Sequence, residues 1–190
     1  MEKTEIRQFN LEECRFDKSK DGETIVRGYA AVFGQLSEDL GGFKEQIDSR
    51  AFDNVLEDDV VAVFNHDMNI IFGRTSSGTL KLSVDERGLV SEITMPNTQA
   101  AKDTIELMRR GDINKMSFGF IVDVDKWKES ERGYVRTVKE VKRLIDVSLV
   151  TKPAYPQTTA AVRSLDNYKK QTPKTSNISK NKVRLLKLKK

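Results

Sequence analysis

One histidine, His66, and one cysteine, Cys14, stand in a chain of 190 residues, and that scarcity removes whole classes of chemistry. A mechanism needing two imidazoles is excluded, as is a metal site built mainly on imidazole. A single thiolate cannot make a zinc site of the cysteine type. Nor can it close an internal disulfide, which agrees with a reducing compartment. No apolar run approaches the ~20 residues of a membrane span. The leading stretch MEKTEIRQFN has no apolar signal region, so the expectation is a soluble protein that stays in the cytoplasm where it is made. Aromatic residues are 7% of the chain and leave few platforms for stacking sugars, which argues against a glycosidase built on the plentiful acids.

The net charge of +4 hides an uneven spread. Nine of the residues from Leu165 to Lys190 are basic and one, Asp166, is acidic, so this stretch carries +8 and residues 1–164 carry −4. The body is mildly acidic, and a whole-protein nucleic-acid footprint is not expected. Lys, Thr, Ser, Asn and Gln dominate beyond about Ser164, with too little apolar surface to offset the entropy of ordering. The reading is therefore one domain over residues 1–164 and a basic, disordered tail over 165–190. The end of that tail, Val183 to Lys190, could form a basic amphipathic helix on contact with a partner.

Along the body, residues 1–20 read as a weak leading segment or edge strand. Thr24–Phe33 is rich in β-branched and aromatic residues and reads as a strand. A loop follows through Gly42. Asp48 can cap a short helix over Ser49–Leu56. Val60–Phe64 is a short buried strand ending in Asn65-His66-Asp67. Thr79–Val84, a turn at Asp85–Gly88 and Leu89–Met95 form a hairpin. After Pro96-Asn97-Thr98, Ala101, Ile105 and Met108 recur at helical spacing, and Gly111 supplies the C-terminal stop. Lys115–Val124 reads as a strand, Asp125–Gly133 as a polar loop, and Tyr134–Val141 and Leu144–Val150 as two further strands. Lys152–Pro156 ends the sheet, since proline cannot donate to a ladder. Many short strands with one or two helices predict an α+β domain around a closed or strongly curved sheet.

If the chain performs nucleophilic catalysis through an imidazole base, that base is His66. The nucleophile is then a Ser or Thr, and the group orienting the imidazole an Asp or Glu. A lone histidine is more often a surface or satisfied core residue, so its surroundings must carry the case. Ser117, in Met-Ser-Phe-Gly-Phe, begins a strand directly after a capped helix, a fixed position suited to presenting a hydroxyl. Taken alone, it is equally a small residue tolerated in a crowded strand. Gly119 lacks a side chain on the same face and leaves room for a substrate backbone. Asp146 shares one face of the last strand with Leu144, Ser148 and Val150. Buried there it needs a partner, which a ring nitrogen of His66 would supply and a nearby Arg or Lys would supply equally well.

The ordered segments GYAAVF, AFDNVL, VVAVFNHDMNIIFGRTSSGTLKL, ERGL, MPNTQAAKDTIELMRRGDINKMSFGF and IDVSLVTKPAYP resemble the tailed-bacteriophage prohead (procapsid) maturation serine proteases. The resemblance runs from about Ile25 to Thr159. Its strongest part pairs Asn-His-Asp at a strand end with Met-Ser-Phe-Gly-Phe about fifty residues later. It implies a distant relation to the herpesvirus assembly proteases, with a β-barrel-like core of mostly antiparallel strands flanked by a few helices. Position by position, His66 matches the family's general base and Ser117 its nucleophile. Asp146 matches the acidic position ahead of Val-Ser-Leu-Val, where Glu is commoner. The herpesvirus relatives use a second histidine as third member; none exists here, so a carboxylate is required. Glu140 and Asp67 remain alternatives for it.

The implied function is an endopeptidase without a cofactor or metal. It would cleave major capsid protein or scaffold inside the procapsid, and itself, after being made in the host cytoplasm. A homo-oligomer is left open. Backbone amides near Thr151-Lys152 are candidates for the oxyanion donors. The competing reading is a non-catalytic assembly factor that binds scaffold or shell through its basic tail.

Overall fold

The computed structural model describes residues 4–10, 15–18, 22–131, 133–151 and 159–171. Ten strands and two helices follow one another along these residues: β1 (Glu5–Asn10), β2 (Arg15–Lys18), β3 (Thr24–Val32), β4 (Phe43–Ile47), β5 (Val61–Phe64), β6 (Asp67–Arg74), β7 (Leu80–Val84), β8 (Gly88–Thr94), α1 (Gln99–Arg110), β9 (Lys115–Ser130), β10 (Gly133–Val150) and α2 (Thr159–Gln171). One sheet runs β1-β9-β10-β5-β6, with β4 also on β10; the other runs β2-β3-β8-β7. The class is α+β, as expected. The closed, barrel-like core is not what forms: among the described residues the strands make two open sheets. The main core draws Val26, Ala30, Leu89 and Ile93 from the smaller sheet and Ala62, Phe118, Phe120, Val147 and Leu149 from the larger.

Where local signals are strong, the elements stand where the sequence puts them. Thr98 caps α1, accepting the Ala101 N–H, and Gly111 ends it in the left-handed region at φ 84°. The β7–β8 turn is closed by Asp85, whose carboxylate accepts the N–H groups of Arg87 and Gly88. Four expectations need correction. Residues 49–57 form successive tight turns instead of a helix, closed by i to i+3 bonds such as Ala51 N–H to Asp48 C=O at 3.0 Å. The polar stretch Asp125–Gly133 is largely strand, because β9 and β10 continue as a long hairpin arm in which Trp127 faces Arg136. The two expected strands after Tyr134 are one, β10, with register shifts between Val138 and Asp146 marking the break in its alternation. The boundary near Ser164 falls inside α2: Leu165 is buried with Ala161, Leu40 and Phe43, and Tyr168 stacks on Trp127. Lys152–Pro156 and residues 172–190 lie outside the described residues.

β10 is the organising strand. It pairs antiparallel with β9 along one edge and parallel with β4 and then β5 along the other. The β5 pairing sets Asp146 opposite Val61 and Leu149 opposite Phe64, so the turn leaving β5 opens beside the end of β10. The β9 pairing sets Gly119 opposite Asp146 and Ser117 opposite Ser148.

Candidate active site

Three strands therefore converge on one spot. Along β9, Met116, Phe118 and Phe120 turn into the core, where Phe118 and Phe120 stack with centroids 4.5 Å apart. The intervening Ser117 and Gly119 take the opposite face by strand alternation. On β10 a register shift between Leu144 and Asp146 resets the phase. Leu144 joins the core with Val147 and Leu149, while Asp146 and Ser148 face outward toward Ser117. That bulge corrects the simple alternation that would place Leu144 beside Asp146.

The turn after β5 supplies the imidazole. Asn65 and His66 hold φ of 48° and 60°, left-handed conformations that non-glycine residues seldom adopt. The surroundings fix them. Asn65 N–H donates to Leu149 C=O at 3.0 Å, and its side-chain oxygen accepts the Thr151 N–H at 3.0 Å. The His66 N–H donates to Ser148 Oγ at 3.0 Å. So placed, the ring bridges the other two groups. Its Nδ1 lies 2.6 Å from Asp146 Oδ1 and its Nε2 lies 2.8 Å from Ser117 Oγ. Asp146 is buried, and the His66 side chain is 16% exposed.

With Nδ1 protonated toward the carboxylate, Nε2 is free to accept a hydroxyl proton, so the set can activate an alcohol for attack on a carbonyl. The three residues singled out from sequence are thus brought together. Neither alternative third member takes part: Glu140 is exposed on β10, and Asp67 turns back to accept the backbone and side-chain N–H groups of Asn69. Those bonds, the backbone one first, hold its carboxyl below the ordinary carboxylate range. The Thr151 amide is already spent on Asn65 and is not a free oxyanion donor; Lys152 lies outside the described residues.

Two participants were missed. Ser148 Oγ donates to Asp146 Oδ1 at 3.0 Å while accepting the His66 N–H, joining the carboxylate to the backbone of the imidazole residue. Its alternation with Asp146 was the signal that could have found it. The other is the backbone carbonyl of Arg7 on β1, which accepts from Ser117 Oγ at 2.8 Å. No side-chain pattern could reveal that contact. Gly119 also has a different task from the expected one. A Cβ there would stand 2.3 Å from Asp146 Oδ2, so its bare face seats the carboxylate rather than a substrate backbone.

A serine hydroxyl, an imidazole and a carboxylate in series are the arrangement by which a serine is activated as a nucleophile in serine hydrolases. The chain matches the sequence pattern of the caudovirus prohead serine proteases over residues 10–171, and it belongs to that family. Its fold is similar to that of the bacteriophage T4 capsid assembly protease, gp21, with a TM-score of 0.51 at 12% identity over 77% of this chain and 96% of that one. Among curated proteins none matches this sequence.

Proposed function

We propose that this chain is a serine endopeptidase that cleaves capsid protein or its scaffolding segments, and itself, inside the phage procapsid during head maturation. The observation that carries the reading is the bridging of Ser117 and Asp146 by the chain's one imidazole. Ser117 Oγ attacks a peptide carbonyl as His66 Nε2 takes its proton. Asp146 keeps the other ring proton on Nδ1 and stabilises the imidazolium. His66 then returns the proton to the leaving amine, and water repeats the sequence to release the acyl group. Oxyanion donors add on the order of 3–4 kcal/mol each. Family membership supports capsid or scaffold protein as the substrate, and the relative of similar fold is itself a capsid assembly protease.

The basic residues beyond α2 serve delivery rather than chemistry, since Ser117, His66, Asp146 and Ser148 all lie before Val150. A positive tail suits docking on an acidic scaffold or shell surface, with an attraction that salt weakens. A pure assembly factor would need the tail but not the hydroxyl–imidazole–carboxylate series. Purified protein incubated with co-expressed capsid or scaffold protein tests the reading: discrete cleavage products are expected, and their absence would return the chain to the assembly-factor class.

A further inference from the structure

The nucleophile of the proposed protease has no exposed surface: Ser117 is 0% accessible. β9 has two edges along this stretch. One pairs with β10, and the other is covered by β1, antiparallel, with Gln8 opposite Ser117 and Ile6 opposite Gly119. An extended peptide approaching Ser117 along the sheet would need the ladder that β1 already uses. Strand addition to a sheet edge is a general way of holding an extended polypeptide, with backbone bonds supplying affinity.

β1 also competes for the reacting proton. A serine hydroxyl has one hydrogen to donate. Two acceptors stand 2.8 Å from Ser117 Oγ: His66 Nε2 and the Arg7 carbonyl oxygen. A hydroxyl donated to Arg7 is not donated to the base, and general-base activation needs the second arrangement. We propose that the edge of β9 occupied by residues 5–10 is the substrate-binding slot for an extended peptide, and that β1 is an internal occupant which must leave before a substrate reaches Ser117. This rests on the protease reading above.

The way β1 is held fits an occupant that can be released. Beside its pairing with β9 and the stacking of Phe9 on Phe118, β1 is held by charge: Arg7 pairs with Glu5 at 2.7 Å and with Glu45 at 2.6 Å, and Arg136 pairs with Glu5 at 2.7 Å. All four side chains are buried. Separating a buried ion pair is costly unless the groups left behind keep partners. β1 brings one charge of each sign, so its departure leaves the net charge of the cluster unchanged. Arg136 keeps Glu45 at 2.9 Å and Asp125 at 2.7 Å. The slot's floor therefore survives the exchange, and Glu45 is left to meet a basic side chain where Arg7 had been.

The test clamps and loosens β1 in the full chain, with Cys14→Ser removing the native thiol. Asn10 and Lys115 are register partners, and facing residues of an antiparallel pair have Cα atoms about 4.5–5.5 Å apart, within disulfide reach. Asn10→Cys with Lys115→Cys should, when oxidised, slow both peptide hydrolysis and fluorophosphonate labelling of Ser117 by roughly tenfold or more, because the open population is suppressed. Reductant should restore both. Glu5→Gln with Arg7→Gln, which removes one charge of each sign, should speed both reactions and hasten amide hydrogen exchange in 115–120. An oxidised clamp that reacts as fast as its reduced form overturns the proposal and leaves the protease intact. No labelling of Ser117 in any form, the loosened one included, overturns the protease reading and this proposal with it.

Discussion

Gly119 and Asp146 face each other across β9 and β10 so closely that a Cβ on Gly119 would stand 2.3 Å from Asp146 Oδ2. The carboxylate occupies the space of a missing side chain. From there its other oxygen reaches His66 Nδ1 at 2.6 Å. Gly119→Ala must therefore push the carboxylate aside or shift the strands. Overpacking of this kind costs about 1–3 kcal/mol, while a misplacement of about 1 Å at a reacting group costs on the order of 100-fold in rate. We expect a folded variant with a slightly lower melting temperature and a severely reduced rate, read by calorimetry beside peptide hydrolysis.

Ser148 joins two parts of the site, and its removal should be felt at both. Ser148→Ala leaves the His66 N–H without its acceptor and Asp146 without one donor. An unsatisfied buried group costs about 1–3 kcal/mol. The left-handed turn at Asn65-His66 should loosen, and kcat should fall more than KM rises. Unchanged kcat would show that Asn65 and its contacts hold the imidazole without help.

Acid should remove one stabilising contact remote from the site. Asp48 is held below the ordinary carboxylate range, chiefly by the hydrogen bond from Lys139, against the opposing effect of burial and with help from the Arg50 N–H. A folded-state value below the unfolded one means the contribution is present above the ordinary carboxylate titration near ~3.9. It is lost as pH falls through the lowered folded value. Asp48→Asn should lower stability at pH ~7 by no more than about 1 kcal/mol, since the pair is partly exposed. The difference from the parent should shrink in acid, as read from urea midpoints at the two pH values. A constant difference would assign the effect to the turn at 48–51 instead.

Truncation of the basic stretch beyond α2 is expected to separate delivery from chemistry. A chain ending at Gln171 keeps the packing of Leu165 and Tyr168 and should hydrolyse a soluble peptide at the parent's rate. It should be recovered in fewer copies from purified procapsids. Ending the chain at Ser164 instead would cut α2 in two and confound the result.

Much of this arrangement is legible in the sequence alone, and the reasons are local. Thr98 and Gly111 bracket α1 with side-chain and backbone chemistry that leaves little freedom. The alternation in Thr79–Met95 with its Asp-Glu-Arg-Gly turn specifies a hairpin. His66, Ser117 and Asp146 could be grouped because the chain has one imidazole and the segments around it resemble a family. The unreadable parts depend on distant partners. β4 carries the buried Glu45, which is tolerable only because Arg136 and Arg7 meet it from β10 and β1. The hairpin arm beyond Val124 is polar because most of it is exposed, and polarity alone reads as a loop. α2 continues past Ser164 because Trp127 and Tyr134 offer a surface for Leu165 and Tyr168, more than a hundred residues after the segment around Leu40 that completes the cluster. A backbone carbonyl such as that of Arg7 has no sequence signature at all.

The central claim is that Ser117 attacks with His66 as its base, and one comparison tests it most directly. Parent, Ser117→Ala and His66→Ala proteins are purified, checked for equal folding, and incubated with capsid or scaffold protein. The parent should cleave. Neither variant should yield product beyond the residual catalysis that binding alone provides. Normal processing by Ser117→Ala would contradict the account outright.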